Sequence, residues 1–362
     1  MTQRERQILR WIEENPLISQ QELADKAGIT RSSAAVHISN LMKKGYIAGK
    51  GYIVSNATYT VVVGGVNVDI GGIPYKKLVH ADSNPGQVRM SLGGVGRNIA
   101  HNMALMGVDT RMLTALGDDL NAQKITASCG ELGIDISKSL RVSGAATSSY
   151  LFIANENGDM ELALSDMDIY DHLTPAFLST KLPMLNNAQV IVLDTNISAE
   201  AIAWIAGHVD PPVFADPTST AKAEKLKPIL GRIHTLKPNR IEAQLLSGVE
   251  IVDEASLNQA ADKLLEAGLR RVFISLGADG VLAADQDRRI HLPSVKTRVV
   301  NATGSGDAFM AALVWAYLQG TDLEGSAMAG LAASSIAAEG RDTINPEISE
   351  AAVRARMEMI DD

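Results

Sequence analysis

The chain has 362 residues but only one cysteine, Cys129, so it cannot form an internal disulfide and fits a reducing compartment. No uninterrupted apolar run approaches the ~20 residues that a membrane-spanning helix needs. The N-terminal segment is charged and lacks the apolar core of a signal peptide. We therefore expect a cytoplasmic protein with no membrane partner. Aromatic residues are scarce at 4%, yet the apolar fraction of 46% is enough for one large and one small domain.

The sequence also lacks two common nucleotide-binding loops. It contains no GxxxxGK[ST] segment, which excludes a P-loop kinase. Residues 61–72 (VVVGGVNVDIGG) have the wrong glycine spacing for a dinucleotide fingerprint and are not followed by a good helix. NAD binding is therefore not expected.

Charge is unevenly distributed along the chain. The net charge is −9, but residues 1–55 carry eight lysines and arginines against five acidic residues. A basic head on an acidic body suggests two domains with different partners. The short polar stretch near Ser55–Thr58 predicts a boundary, giving domains at 1–56 and 57–362.

The N-terminal segment predicts three helices and a hairpin. Residues 2–14 place apolar side chains at helical spacing, and Ser19 with Glu22 predicts a capping box for a second helix. Thr30 is expected to cap a third helix, and residues 46–54 form a β-prone, basic hairpin or wing.

This order of elements resembles the winged helix-turn-helix of bacterial transcription regulators, whose recognition helix enters the major groove of DNA. The resemblance implies a DNA operator as partner, contacted through Arg31, Ser32, Ser33, His37 and Lys50. Lys43 and Lys44 could neutralise further phosphates. The alternative is a three-helix interaction or dimerisation module, which predicts no salt-dependent DNA binding.

In the larger domain, β-prone runs alternate with helical stretches, which predicts an α/β fold with a mainly parallel sheet. The expected strands lie within 59–66, 111–117, 190–194, 212–216, 234–238 and 271–277. Further strands around 67–95 and 147–166 are separated by polar turns, and these predict a small antiparallel lid.

One turn near the C-terminus has the features of an anion site. Gly304 and Gly306 precede an apolar, small-residue helix, so backbone N–H groups are exposed beside its positive end. Asp307 in the same turn could accept the proton of a hydroxyl that attacks phosphorus. By itself, such a turn is also a common way to start a helix.

Residues 300–309 (VNATGSGDAF) resemble the second signature of the ribokinase-like, or phosphofructokinase-B, carbohydrate kinases. The resemblance implies a three-layer αβα sandwich with a small β lid, and ATP with Mg²⁺. It makes Asp307 the catalytic base and forms the γ-phosphate anion hole from the amides of Gly304, Ser305 and Gly306. Two residues depart from the family pattern, because Asn301 replaces Asp and Ser305 replaces Ala.

Other family motifs follow in the family's order. The resemblance assigns sugar contacts to Asn67, Asp69, Gly93, Gly94 and Asn98. It assigns magnesium and phosphate organisation, through water, to Asn239 and Glu242, and nucleotide contacts to Ser275, Gly277 and Gly280. A monovalent cation such as K⁺ is common in the family.

Residues 81–86 (ADSNPG) and 147–151 (TSSYL) resemble pseudouridine kinases more closely than ribokinase or fructokinase. The implied reaction is transfer of the ATP γ-phosphate to the 5′-hydroxyl of pseudouridine, with Asp82, Asn84 and Ser149 near the sugar or base. Alternatives are inosine, uridine or a free sugar as substrate, or a nucleoside-sensing transcription regulator built on a kinase fold. A further alternative combines the two functions, so that ligand binding to the kinase domain shifts the DNA affinity of the N-terminal module. We also expect the protein to be a homodimer.

Overall fold

The structure, a computed structural model, describes residues 1–49, 58–157 and 159–361. Its helices are α1 (Gln3–Glu14), α2 (Gln20–Ala27), α3 (Arg31–Lys43), α4 (Val95–Leu105), α5 (Leu120–Glu131), α6 (Pro175–Ser179), α7 (Leu182–Asn186), α8 (Ala199–His208), α9 (Thr220–Ala223), α10 (Arg240–Ser247), α11 (Glu254–Glu266), α12 (Ser305–Leu318), α13 (Leu323–Glu339) and α14 (Glu350–Asp361). Three 3-10 helical segments lie at Asp168–His172, Glu224–Arg232 and Gly277–Asp279. None of these described helices is both long and apolar enough to cross a membrane.

The strands are β1 (Thr60–Val63), β2 (Asn67–Pro74), β3 (Gly86–Gly93), β4 (Thr110–Leu113), β5 (Ala115–Leu116), β6 (Leu140–Arg141), β7 (Ser149–Ala154), β8 (Met160–Asp166), β9 (Ile191–Asp194), β10 (Val213–Asp216), β11 (Thr235–Leu236), β12 (Arg271–Ser275), β13 (Val281–Asp285) and β14 (Arg289–Leu292). Each of the six strand segments expected from the sequence contains a strand.

The second and third N-terminal helices begin directly after their predicted caps, Ser19 and Thr30. Ser19 and Glu22 form a reciprocal capping box at the start of α2, and the Thr30 hydroxyl accepts a hydrogen bond from Ser33 N at the start of α3. Ile8 and Leu41 join a small core of their own. The predicted wing falls mostly outside the described residues, and so does Lys50.

The main sheet has eight strands in the order β14-β13-β12-β11-β10-β9-β1-β4. The six strands from β4 to β12 in this order are parallel, whereas β13 and β14 extend the β12 edge in antiparallel fashion. The parallel part was predicted; the antiparallel edge was not. Tight turns rather than crossover helices join β12 to β14, so the α/β alternation gave no sign of it.

Side chains that alternate along the strands pack into two separate hydrophobic cores, one on each face of the main sheet. Val61 and Val63 of β1 pack into one core with residues of α8, α10 and α11. Val62 points the other way, into a core with residues of α4, α12 and α13. A sheet with helices on both faces is the three-layer αβα sandwich that the family resemblance implies.

The lid is a second sheet, in the order β3-β2-β7-β8. The two outer pairs are antiparallel, as the sequence predicted for the lid, but the central strands β2 and β7 run parallel. That part of the prediction was wrong, because β2 and β7 are far apart along the chain and no hairpin turn joins them. Because β2 follows directly after β1, the lid begins at the carboxyl edge of the main sheet. In open α/β sheets this edge is where ligands bind.

The contact between α12 and α13 supplies a test of core packing. A Cβ at Gly330 would overlap the ring of Phe309, which is 3% exposed and cannot move freely. We expect Gly330→Ala to lower the free energy of unfolding by about 1–3 kcal/mol through overpacking. Chemical denaturation measures this change.

The matched control is Gly130→Ala in α5, where an added Cβ would meet nothing within 4 Å. Alanine favours helix over glycine by about 0.5–1 kcal/mol, so this control should be neutral or stabilising. Equal destabilisation by both substitutions would contradict the packing argument.

Candidate active site

A cleft of about 440 Å³ lies between the carboxyl edge of the main sheet, the lid and the start of α12. Its lining includes ten residues predicted from the sequence: Asn67, Asp69, Gly94, Asn98, Asn239, Glu242, Ser275, Gly304, Gly306 and Asp307. It also includes residues that were given no role: Val95, Tyr150, Met167, Asn196, Asp216, Thr218, Lys222, Lys237 and Thr303.

The first turn of α12 brings backbone amides into this cleft. Gly304 has φ +84°, and a Cβ there would overlap the carbonyl oxygen of Thr343, so the turn requires glycine. A Cβ at Gly306 would come within 3.4 Å of Lys237 Nζ, its nearest neighbour. The first amides of a helix have no intrahelical acceptor, so this end of α12 suits an anion.

Asp307 is buried at the bottom of the cleft, with 9% of its surface exposed. Asn98 Nδ2 donates a hydrogen bond to its Oδ2 at 2.9 Å. Burial, with a further contribution from the charge of Asp216, raises the pKa of Asp307 to about 7, against the lowering effects of Asn98 and Lys237. A carboxyl group with this pKa can exchange a proton near neutral pH.

Lys237 and Asp216 form a buried ion pair at the ends of neighbouring strands β11 and β10. Their Nζ and Oδ2 atoms are 3.1 Å apart, and the side chains are 7% and 8% exposed. Burial alone would lower the pKa of Lys237, but the charges of Asp216 and Glu242 outweigh it and hold the pKa above its ordinary value. Lys237 is therefore a fixed cation beside Asp307 and Gly306.

Asn239 and Glu242 form a capping box at the start of α10. Glu242 Oε2 accepts a hydrogen bond from Asn239 N at 2.9 Å, and the carboxylate is 5% exposed. Burial raises the pKa of Glu242. The described residues contain no cluster of three or more His, Cys, Asp or Glu side chains that could enclose a metal. A lone carboxylate of this kind fits Mg²⁺ held mainly by phosphate oxygens and water.

Asn67 and Asp69 project from β2 into the cleft, and Asn67 Nδ2 donates a hydrogen bond to Asp69 Oδ1. Burial raises the pKa of Asp69. A Cβ at Gly93 would overlap Asp69, and one at Gly94, where φ is +96°, would lie 2.6 Å from the Gly65 carbonyl oxygen. The glycine pair thus allows the β3–α4 connection to pass directly beside the two polar side chains.

A second polar group, at Lys222 and Asn196, lines the same cleft. Lys222 Nζ donates to Asn196 Oδ1 at 2.6 Å and lies 3.6 Å from Met167 Sδ. Asn196 is held in turn by the buried carboxylate of Asp194, with Nδ2 to Oδ2 at 3.0 Å. Together with Tyr150, these residues provide a ring, a thioether and a cationic donor within one cavity.

Three predicted residues lie away from the cleft. Asp82 and Asn84 line a separate pocket of about 330 Å³ at the tip of the lid. The Asn84 side chain bonds to both the N and O atoms of Val79, so it organises its own loop. Ser149 lies on β7 next to Tyr150, which lines the cleft, and successive strand residues face opposite sides. Within one protomer, none of these three residues lines the cleft, so its geometry does not support their assignment to the sugar or base.

The predicted nucleotide residues are divided between two places. Ser275 lines the cleft, whereas Gly277 and Ser305 line an adjoining, mainly apolar hollow of about 430 Å³. Ser305 Oγ is buried and has no partner among the described residues. Gly280 shapes a turn instead, because its φ is +90° and a Cβ would overlap the Leu292 carbonyl oxygen.

The predicted DNA contacts gather at the start of α3. Arg31, Ser32 and Ser33 are exposed, and His37 is partly exposed one turn further along. The Thr30 hydroxyl bonds to those of Ser32 (3.1 Å) and Ser33 (2.9 Å). These side chains are accessible at the end of the helix that a recognition helix would present to base edges.

Comparison with known proteins agrees with this geometry. Residues 57–350 match the pfkB family of carbohydrate kinases. The chain belongs to this family. Residues 1–48 match the winged helix-turn-helix DNA-binding family.

A pseudouridine kinase of Escherichia coli K12 is 39% identical over 302 residues, which cover 83% of this chain and 96% of the relative. An uncharacterized sugar kinase of the same organism, YeiI, is 38% identical over 351 residues, which cover 96% of this chain and 97% of the relative. This second match is too long to be confined to the kinase body, so it includes part of the N-terminal module.

Arabidopsis thaliana ribokinase, solved with ribose and ATP, superimposes with a TM-score of 0.75 at 22% identity, covering 83% of this chain and 99% of the ribokinase. This likeness establishes the fold. The chain is thus a sugar or nucleoside kinase, a phosphotransferase with an alcohol group as acceptor.

The raised pKa of Asp307 predicts a pH-dependent stability difference. An aspartate titrates near ~3.9 in an unfolded chain but at about 7 here, so the native state binds the extra proton between these values. Wild-type stability therefore loses this contribution as pH rises from about 4 to about 7. Asp307→Asn should gain stability relative to wild type over that window and keep the gain above it.

Denaturant unfolding at a series of pH values measures this difference. Asp287→Asn, at an exposed position, is the control and should show a constant difference from wild type. A pH-independent difference for Asp307→Asn would show that the carboxyl group is not perturbed.

Proposed function

We propose that this protein is a pseudouridine kinase, which transfers the γ-phosphate of ATP to the 5′-hydroxyl of the nucleoside. The observation that carries the proposal is the buried Asp307 carboxyl group beside the α12 amides and Lys237, in a cleft whose other wall holds Asn67 and Asp69. The 39% identity to a pseudouridine kinase favours this nucleoside among the possible acceptors.

In this proposal, Asp307 accepts the proton of the 5′-hydroxyl as its oxygen attacks the γ-phosphorus. A general base is most effective when its pKa lies near the working pH, and the raised pKa of Asp307 meets that condition. The amides of Gly304, Ser305 and Gly306 and the ammonium of Lys237 stabilise the negative charge on the transferred group. Asn98 orients the carboxylate through its hydrogen bond.

The adenosine of ATP would lie in the hollow lined by Gly277 and Ser305, with its phosphates at the start of α12. The hollow and the cleft adjoin there, since Ser305 lines one and Gly304 the other. Asn239 and Glu242 would hold Mg²⁺ through water, and the metal would supply charge neutralisation at the phosphates. A monovalent cation such as K⁺ belongs in the assay because it is common in the family.

Substrate hydroxyls would bind to Asn67, Asp69 and Asn98. The end of the cleft at Lys222 favours a nucleoside over a free sugar, because it can accept a flat ring bearing carbonyl groups. An ammonium has three donors, and among the residues that the structure describes those of Lys222 engage only Asn196 and the weakly accepting sulfur of Met167.

The test is ATP consumption by the purified chain with Mg²⁺ and K⁺ across pseudouridine, uridine, inosine, adenosine, ribose and fructose. We expect the highest kcat/KM with pseudouridine. Preference for another acceptor would keep the kinase chemistry and overturn the substrate. Binding of a nucleoside without turnover of any acceptor would favour the alternative, a nucleoside-sensing regulator.

Asp307→Ala, which removes the proposed base, is the negative control in this assay. It should lower kcat by at least about 10²-fold, the usual contribution of a general base, while pseudouridine binding measured by calorimetry changes little. Retention of more than a few per cent of kcat would remove Asp307 from the role of base.

A second proposed function belongs to the N-terminal module, which would bind a DNA operator. The observation that favours it is the exposed group Arg31, Ser32 and Ser33 at the start of α3. Short polar side chains and an arginine at this position can reach base edges in the major groove. The match of residues 1–48 to winged helix-turn-helix domains supports this assignment.

We also propose that the protein forms a homodimer through the outer face of the lid. Met90, Ile70, Leu151 and Leu164 form one continuous row across all four lid strands. Three of these four side chains are 37–64% exposed. A continuous exposed apolar patch of this kind is unusual on the surface of a monomeric protein. A second copy is the favoured occupant, because an apolar face of this kind is complementary to itself in an isologous dimer.

Leu164→Lys should therefore convert a dimer to a monomer, since it would bury an unpaired charge in that interface. Light scattering gives the mass of each species. Leu120→Lys, at a 71% exposed position in α5, is the matched control and should leave the mass unchanged. A monomeric wild type, or a dimer that survives Leu164→Lys, would exclude this interface.

A further inference from the structure

The N-terminal module contacts the kinase body just after its recognition helix. Tyr46 Oη donates to Asp210 Oδ2 at 2.8 Å, and Asp210 N donates to Asn186 Oδ1 at 3.0 Å. Gly45 has φ +85° and lies so close to Pro183 that an added Cβ would be 2.7 Å from the proline carbonyl oxygen. Both a hydrogen bond and a tight backbone contact thus define the junction.

This junction fixes one end of α3 and leaves the other end free. Tyr46 follows the last residue of α3 by three positions, whereas Arg31 and Ser32 at the first turn are exposed. Burial, aided by the charge of Asp210, raises the pKa of Tyr46, so its hydroxyl remains a donor at neutral pH. Asp210 also pairs with the N-terminal ammonium of Met1 through its other carboxylate oxygen. The position of the recognition helix relative to the body therefore depends on contacts that converge on Asp210, of which the Tyr46 hydrogen bond is the one nearest to α3.

Two segments of the kinase body run from the cleft to this junction. One begins at the cleft residue Asn196, continues through α8, and reaches Asp210 two residues after the helix ends. The other begins at the cleft residue Met167 and continues through a 3-10 turn and α6 to α7, which contains Pro183. Residues of α6, α7 and α8 share one core, so the two segments pack together.

We propose that ligand binding in the cleft changes the DNA affinity of the N-terminal module through the Tyr46–Asp210 junction. The inference rests on the proposed function in that it takes the cleft as a nucleoside site and the module as a DNA-binding domain. Displacement of Asn196 or Met167 by a bound nucleoside is transmitted by packed helices to both sides of the junction. Contiguous packing of this kind can carry coupling between distant sites when an interface along it has two arrangements.

The coupling must be reciprocal, because both ligands bind the same protein. If nucleoside binding alters DNA affinity by some factor, DNA alters nucleoside affinity by the same factor. A ligand that binds equally well to the formed and the opened junction shifts neither population. Breaking the junction removes the link without touching the cleft or the exposed end of α3.

The experiment uses the full chain and short duplexes selected on it from random-sequence DNA. The DNA Kd is measured at fixed ionic strength with and without saturating pseudouridine. We expect a change of at least about fivefold, the lower end of typical allosteric coupling. Tyr46→Phe removes the donor and should reduce the ratio below about twofold, while pseudouridine turnover stays near wild type.

The matched control is Tyr75→Phe, at a position in the lid that is 65% exposed and away from the junction; it should retain the full ratio. Asp210→Ala, compared with Asp287→Ala, provides an independent test from the body side. Loss of the ratio in both junction variants, but not in the controls, supports the proposal.

Other outcomes separate this inference from the kinase assignment. Equal DNA affinity with and without pseudouridine that calorimetry shows to be bound, or a ratio that survives both junction variants, overturns the coupling whatever the turnover. If pseudouridine does not bind, the acceptor preferred in the turnover assay takes its place in this measurement. Failure to select any duplex overturns it as well and leaves the kinase activity standing. A ratio that depends on Tyr46 in a chain without turnover would support the coupling and overturn the proposed reaction.

Discussion

The buried ion pair between Lys237 and Asp216 joins the ends of two adjacent strands directly beneath the first turn of α12. Without this ammonium group, the charge of Asp216 would act on the buried carboxyl group of Asp307 with no neighbouring cation to offset it. Buried like charges cannot both ionise unless a cation compensates them. The lysine therefore allows an aspartate to be buried yet remain able to ionise near neutral pH, and the proposed chemistry depends on that balance.

The lid uses the two faces of one small sheet for different purposes. Asp69 and Tyr150 face the cleft, whereas Leu151 and Leu164 face outward. Period-two alternation makes this division automatic once the register is set. Cleft-facing and outward-facing residues therefore alternate along the same short strands.

The residues that the sequence motifs identified were those with local chemistry. Gly304, Gly306 and Asp307 lie within one four-residue stretch, and the Asn239–Glu242 capping box is likewise a four-residue pattern. By contrast, Asp82 and Asn84 were assigned to the substrate pocket by resemblance alone, and in the single chain they lie at the tip of the lid. Their place depends on the length and direction of β2 and β3, which a motif does not specify.

The sequence by itself determined the starts of the N-terminal helices, the parallel strands, the lid segments and the glycine-rich turn before α12. Hydrophobic period, capping chemistry and glycine spacing are short-range properties, so they can be recognised along the chain. Only the tertiary structure decided which distant side chains meet: Lys237 with Asp216 and Asp307, Lys222 with Asn196, and Tyr46 with Asp210. These pairings depend on strand order, helix packing and domain contact, which bring together residues that are far apart along the chain.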